Sequence, residues 1–144
     1  MPDQRRESVI FLAARLRDRA YQWIESEMDQ RGMEGLSLSH GAILMHVGQR
    51  GPMTMGELSQ ILEKSRSTTT ALVGKLEARE FVKQIVDPND QRIRRVALTD
   101  KVLERTEELK AVTDGVLEKT FAGLSEEEQQ TLVSFLGRTL ENYR

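Results

Sequence analysis

Between Phe81 and Leu98 the spacing of apolar residues changes from three-and-four to two. Phe81-Val82-Lys83-Gln84-Ile85-Val86 and Arg92-Ile93-Arg94-Arg95-Val96-Ala97-Leu98 are short β-branched runs, and Asp87-Pro88-Asn89-Asp90-Gln91 between them is a turn sequence. The pair predicts one β-hairpin. A lone hairpin is marginal in water, so it must lean on something, and the rest of the chain has helical spacing. The expected fold is therefore mainly α with a small β hairpin. Arg94, Val96 and Leu98 alternate onto one face, which makes the strand's inner end apolar and its outer end basic.

The flanking helices are unequal in length. From about Arg5 to Arg31, Val9, Leu12, Ala13, Leu16, Ala20, Trp23 and Ile24 form one stripe on a long helix that Gly32 and Gly35 end. A helix near 25 residues exceeds what a small domain needs for its own packing, so its stripe is expected to meet a partner chain. Three short helices follow. Ser39 reads as the N-cap of one carrying Ile43, Leu44 and Val47. Thr54-Met55-Gly56-Glu57 is a capping box before Leu58, Ile61 and Leu62. Ser65 opens a third, with Thr69, Leu72, Val73 and Leu76 inward, running to about Glu80. Short, separately capped helices in succession predict a helix-turn-helix. After the hairpin, Thr99 caps a helix of some 22 positions whose apolar residues run from Val102 to Phe121, and which Gly123 breaks. Ser125-Glu126-Glu127-Glu128 is a second capping box, starting a last helix with Leu132, Phe135, Leu136, Leu140 and Tyr143 on one side.

Charge separates these regions. The 144 residues carry a net charge of −2, yet residues 64–95 hold 8 bases against 4 acids, while the segments before and after are net acidic. A basic middle between acidic ends suggests one region that faces a polyanion; charge scatter on a solvated surface is the alternative. Cysteine is absent, which excludes disulfides, thiol catalysis, cysteine redox sensing and cysteine-ligated metals. His40 and His46 are six apart, so they do not share a helix face as two metal ligands would. No phosphate-cradling glycine loop, calcium loop, nucleophile–base pair or paired carboxylate motif occurs, so no enzyme and no cofactor is expected. No apolar run approaches the ~20 residues of a membrane span, and Met1-Pro2-Asp3-Gln4-Arg5-Arg6-Glu7 lacks a secretory core. No membrane role is expected, and the location expected is cytoplasmic.

The basic centre has the means to hold nucleic acid. A helix fits the major groove with its N-terminal residues meeting phosphates and base edges first. Ser65, Arg66, Ser67, Thr68 and Thr70 cluster at the start of one helix, with Lys75 one to two turns further along. These offer hydroxyls and one guanidinium beside free backbone amides. Read without DNA, Ser65 is only a cap and the threonines are merely tolerated. In the hairpin, Asp90 precedes Arg92 by two, a spacing at which the carboxylate can orient the guanidinium as a minor-groove probe. Arg94 and Arg95 follow as phosphate-neutralising candidates. A solvated hairpin with a local ion pair is the alternative there.

Taken together these residues resemble the MarR family of winged helix-turn-helix regulators over nearly the whole chain. The wing pattern of that family appears as Asp90-Gln91-Arg92-Ile93-Arg94-Arg95-Val96-Ala97-Leu98-Thr99. The opening of its helix-turn-helix appears as Thr54-Met55-Gly56-Glu57-Leu58. Its recognition-helix pattern appears as Ser67-Thr68-Thr69-Thr70, Leu76-Glu77 and Phe81-Val82. Glu80 stands where the family often has Gly, Ala71 where it often has a base, Gly74 where Asp is common, and Val102 where Gly is often found.

The resemblance implies a sequence-specific regulator of transcription, a homodimeric repressor on a roughly palindromic double-stranded operator. It also implies a small aromatic or anionic effector bound between platform and lobe that releases the DNA. Residues 1–35 would supply a dimerisation helix, 36–99 the winged lobe, and 100–144 the C-terminal dimerisation helices. The competing reading keeps the fold as a dimer that sequesters an effector or binds another protein, with weak DNA binding. Trp23, Met28 and Met45 are assigned to core or dimer interface ahead of an effector cavity. Arg15, Arg17 and Arg19 are assigned to an exposed, ion-paired face ahead of an anionic ligand.

Overall fold

Helix α1 (Gln4–Gln30) follows from its apolar stripe and ends where glycine lets the chain turn left-handed. Gly32 has φ +72° and Gly35 has φ +76°, a region costly for residues with a Cβ. The structure, a computed structural model, describes residues 4–144, so what the sequence suggested for residues 1–3 lies outside the described residues. Met33 and Leu36, in the loop after α1, are fully buried and anchor it in the core.

Helix α2 (Leu38–Arg50) is capped by Ser37, not Ser39. The reason is His40, whose ring Nδ1 accepts the Ser37 amide at 2.9 Å from position N3. That is the place a Glu or Gln fills in a capping box, and a histidine there is not part of the usual signature. Helix α3 (Met55–Leu62) has the expected box. The Thr54 amide donates to Glu57 Oε2 at 2.9 Å and the Glu57 amide donates to Thr54 Oγ1 at 3.1 Å. Helix α4 (Arg66–Ala78) starts at Ser65, whose Oγ accepts the Thr68 amide at 3.1 Å. Two acids take the left-handed positions that glycine usually fills. Glu63 ends α3 at φ +52°, and Glu80 follows α4 at φ +60°. At the latter, the Phe81 amide closes onto the Leu76 carbonyl at 2.9 Å, as in a glycine-terminated helix.

Strands β1 (Val82–Val86) and β2 (Arg94–Leu98) pair antiparallel, with Val82 opposite Leu98 and Val86 opposite Arg94. Met53 adds an isolated bridge to Val96, which ties the segment before α3 to the outer side of β2. The hairpin therefore leans on the lobe as its marginal stability requires. Phe81, Val82 and Val96 are buried with Ile43, Leu58, Val73 and Leu76 in the same core.

The single helix expected after the hairpin is two. Helix α5 (Asp100–Leu103) stops and α6 (Thr106–Phe121) restarts. At the break the Thr106 hydroxyl donates to the Leu103 carbonyl at 2.7 Å, and the Arg105 guanidinium leaves to donate to the carbonyl of Arg31. A long-range partner thus overrides local periodicity. Helix α6 packs on α1, where Gly115 admits Trp23; a Cβ at Gly115 would lie 2.5 Å from Trp23 Cη2. Helix α7 (Glu126–Glu141), with its capping box at Ser125 and Glu128, contributes no buried residue. Among the described residues no helix is long and apolar enough to cross a membrane.

Candidate nucleic-acid interface

The start of α4 is a linked group of hydroxyls. Ser65 Oγ–H donates to Thr68 Oγ1 at 2.9 Å and lies 3.2 Å from Ser67 Oγ. Thr70 donates to the Arg66 carbonyl at 2.8 Å. Ser65, Arg66, Ser67, Thr68 and Thr70 are all exposed. Thr69 between them is fully buried, donating to the Ser65 carbonyl at 2.9 Å and lying 3.4 Å from Ser59 Oγ on α3. It locks α3 and α4 together, so one threonine of the three is structural and its neighbours face outward. Ser67, Ala71 and Gly74 fall on that outward side, and no atom stands within 4 Å of a Cβ built at Gly74. This face carries no long side chain and leaves backbone close to whatever it meets.

Lys75 stands apart from this row. Its Nζ lies beside Gly35, at 2.8 Å from where a Cβ there would be, and its charge faces His40. Burial first and Lys75 second push His40 from 6.5 down to about 4, which keeps the ring neutral and able to accept the Ser37 amide.

The hairpin turn is built from two aspartates with different tasks. Asp87 Oδ1 accepts the amides of Asn89 and Asp90 at 2.8 and 3.1 Å, which shapes the turn, and its Oδ2 takes Arg95 Nε at 3.0 Å. Asp90 holds Arg92 through Nε at 3.1 Å and Nη2 at 3.2 Å, and accepts the Arg92 amide at 3.0 Å. Both carboxyls sit below the usual carboxylate range: the Asn89 amide, then Arg95, lowers Asp87, and the Arg92 side chain, then its amide, lowers Asp90. The Arg92 side chain is 91% exposed although its head is held on one side by Asp90. Such a guanidinium projects from the tip already oriented.

Arg94 is exposed, whereas Arg95 is half-buried and also reaches Glu57 Oε2 at 3.5 Å. Arg95 therefore links the turn, through Asp87, to the first turn of α3. Glu57 was foreseen only as a capping residue; its second role rests on a partner distant in sequence, for which no local signal exists. An open cleft of about 500 Å³ lies beside this link, lined by Arg50, Met53, Glu57, Gln60, Ile61 and Arg95.

Away from these elements, Trp23 packs on Gly115 with Lys119 Nζ 6.0 Å from its ring centre, Met28 is buried, and Met45 is exposed. Arg17 pairs with Asp18 at 3.1 Å on the exposed side of α1. Among the described residues no group of three or more His, Cys, Asp or Glu is placed to hold a metal ion.

Comparison with known proteins places this arrangement. A model of the MarR family matches residues 34–93, from the middle of the α1–α2 loop through the wing turn. An uncharacterized HTH-type transcriptional regulator of Bacillus subtilis, YpoP, is 30% identical over 95 residues, covering 64% of this chain and 67% of its own length. The chain spans between about half and two thirds of the relatives of this kind that it matches. The crystal structure of an S. aureus MepR–DNA complex superposes with a TM-score of 0.82 at 20% identity, over 93% of this chain and 97% of that one. A structure of Bordetella bronchiseptica BpsR, described for regulation of its DNA binding by 6-hydroxynicotinic acid, superposes with a TM-score of 0.79 at 21% identity, over 91% of both chains. At those identities the likeness is one of fold.

Proposed function

The chain belongs to the MarR family of transcription regulators, and from that premise we propose that it is a homodimeric, sequence-specific DNA-binding repressor. One observation carries the reading: a guanidinium almost wholly in solvent, yet fixed by two contacts to Asp90, which also accepts the Arg92 amide, at the tip of a hairpin braced against the helix-turn-helix. Orienting an arginine outward in this way costs conformational freedom, and an exposed ion pair returns little to the isolated fold. It prepares Arg92 for the narrow, electronegative minor groove. The exposed hydroxyls from Ser65 to Thr70 and the Arg66 guanidinium meet the adjacent major groove, and Arg94 neutralises a backbone phosphate.

Dimerisation is supported by what the two ends leave uncovered. Val9, Ile10, Phe11 and Leu12 on α1 are at least half exposed, and so are Val133, Phe135 and Leu140 on α7 and Tyr143 just past its end. Apolar faces this extended call for a partner. Residues 1–35 and 100–144 form the platform in this reading, and residues 36–99 the lobe. Release of DNA is assigned to a small aromatic or anionic effector, the class of molecule named for BpsR.

Duplexes selected by the protein from a random library test the reading. The parent should retain a reproducible sequence as a dimer in sedimentation. Arg92→Ala should stay dimeric and lose affinity by about tenfold or more, with a salt slope lower by about one. Parent and variant binding all duplexes alike would overturn it.

A further inference from the structure

Three elements meet at the loop between α1 and α2. Helix α1 has no basic residue in its last turn, although the carbonyl end of a long helix favours cations. Just past the helix, Arg31 donates to the Glu27 carbonyl at 3.0 Å, and two further cations reach the loop carbonyls from elsewhere in the fold. Arg79, at the end of α4, donates through Nη1 to the Gly32 carbonyl at 3.4 Å and through Nη2 to the Glu34 carbonyl, with the Glu34 carboxylate 3.8 Å away. Arg105, between α5 and α6, donates to the Arg31 carbonyl and pairs with Glu108 at 2.9 Å. Both side chains are largely shielded, 31% and 24% exposed. Buried Met33 and Leu36 hold the loop to the core, so it cannot swing independently.

We propose that Arg79 is a positioning residue that sets the angle of the reading helix α4 against the platform helix α1. In a dimer that angle fixes the separation of the two reading helices, and hence the half-site spacing the protein accepts. The proposal rests on the DNA-reading dimer described above. Its physical basis is the fork of the guanidinium, which serves two carbonyls at once; an ammonium is a point charge and can replace the charge but not hold the same bridge. The start of α4 is fastened to α3 by Thr69 and Ser59, within the lobe. The Arg79 bridge fastens its end to the exit of α1. Loss of that bridge leaves each lobe able to read its half-site while the two lobes lose their common register.

The test has two arms. Because the chain has no cysteine, Lys83→Cys gives one nitroxide site per protomer on the exposed side of β1. The distance distribution between the two labels in the free dimer should be narrow in the parent background. It should broaden in Arg79→Ala and broaden less in Arg79→Lys. In the second arm, a duplex selected by the parent is cut to one half-site, or respaced by one and two base pairs. Arg79→Ala should hold the half-site within about twofold of the parent, while a spacing preference of about tenfold falls to about threefold or less. Arg79→Lys should fall between, and it carries the test if the alanine variant does not fold.

An unchanged label distribution with an unchanged spacing profile would overturn the proposal. So would half-site affinity falling in parallel with the full site, which would make Arg79 a contact or a fold residue. A parent that selects no duplex would overturn the DNA reading instead, with the label arm still deciding whether Arg79 couples lobe to platform.

Discussion

The Asp90 carboxylate grips Arg92 along one edge of its guanidinium, through Nε at 3.1 Å and Nη2 at 3.2 Å, and also accepts its amide. An acid this close to a phosphate backbone should repel it, so simple charge counting says that removing Asp90 strengthens binding. Orientation argues the opposite. We predict that Asp90→Ala weakens binding to a selected duplex several-fold, while the salt slope stays that of the parent. Fluorescence anisotropy across a salt series measures both quantities. Tighter binding by the variant would mean that Asp90 acts only as a charge.

Arg94 and Arg95 are neighbours with separate fates. Arg95 is engaged by Asp87 at 3.0 Å and Glu57 at 3.5 Å, whereas Arg94 faces solvent. Arg94→Ala should lower the salt slope by about one. Arg95→Ala should leave the slope alone and instead speed amide exchange through the turn at 87–93. A slope that drops with Arg95 would place its guanidinium on a phosphate.

Gly115 is the point at which α6 yields to Trp23. Gly115→Ala puts a methyl carbon 2.5 Å from the indole, a contact relieved only by moving α6 or the ring. Despite alanine's better helix propensity, destabilisation of about 1–3 kcal/mol is expected. Denaturant unfolding followed by the fluorescence of Trp23, the chain's single tryptophan, measures it. A more stable variant would show that the indole has room.

His40 makes stability depend on acid. In the folded protein it titrates at about 4 and in the unfolded chain near 6.5, so the unfolded chain binds the proton more readily between those values. The His40 contribution is complete above pH 6.5 and is lost as pH falls toward 4. His40→Gln keeps an acceptor at the same capping position without titrating. Its melting temperature should fall less steeply over that interval than the parent's, and equal slopes would exclude His40 as the cause.

Much of the fold was legible because its signals are local. Thr54 with Glu57 and Ser125 with Glu128 are capping boxes written within four residues, and the turn around Asp87 to Gln91 is written in turn chemistry. Asp90 and Arg92 were readable for the same reason, being two residues apart. What the sequence hid was long-range. Lys75 turns toward Gly35, Arg95 toward Glu57, and Arg105 toward the Arg31 carbonyl, the last breaking a periodicity that looked continuous. The cap at Ser37 escaped because histidine served where glutamate is the recognisable residue. The missing glycine at Glu80 was visible, but not its resolution: the glutamate itself adopts the left-handed turn, with its carbonyl accepting the Thr99 hydroxyl at 2.5 Å.

The central claim is that paired lobes place α4 and the Arg92 tip on one duplex. Hydroxyl-radical footprinting of the parent on its selected duplex tests this most directly. The account predicts two protected patches related by a dyad and centred about 10–10.5 base pairs apart or a multiple of that, with flanking minor-groove protection that disappears in Arg92→Ala. A single patch, or flanking protection that survives that substitution, would contradict it.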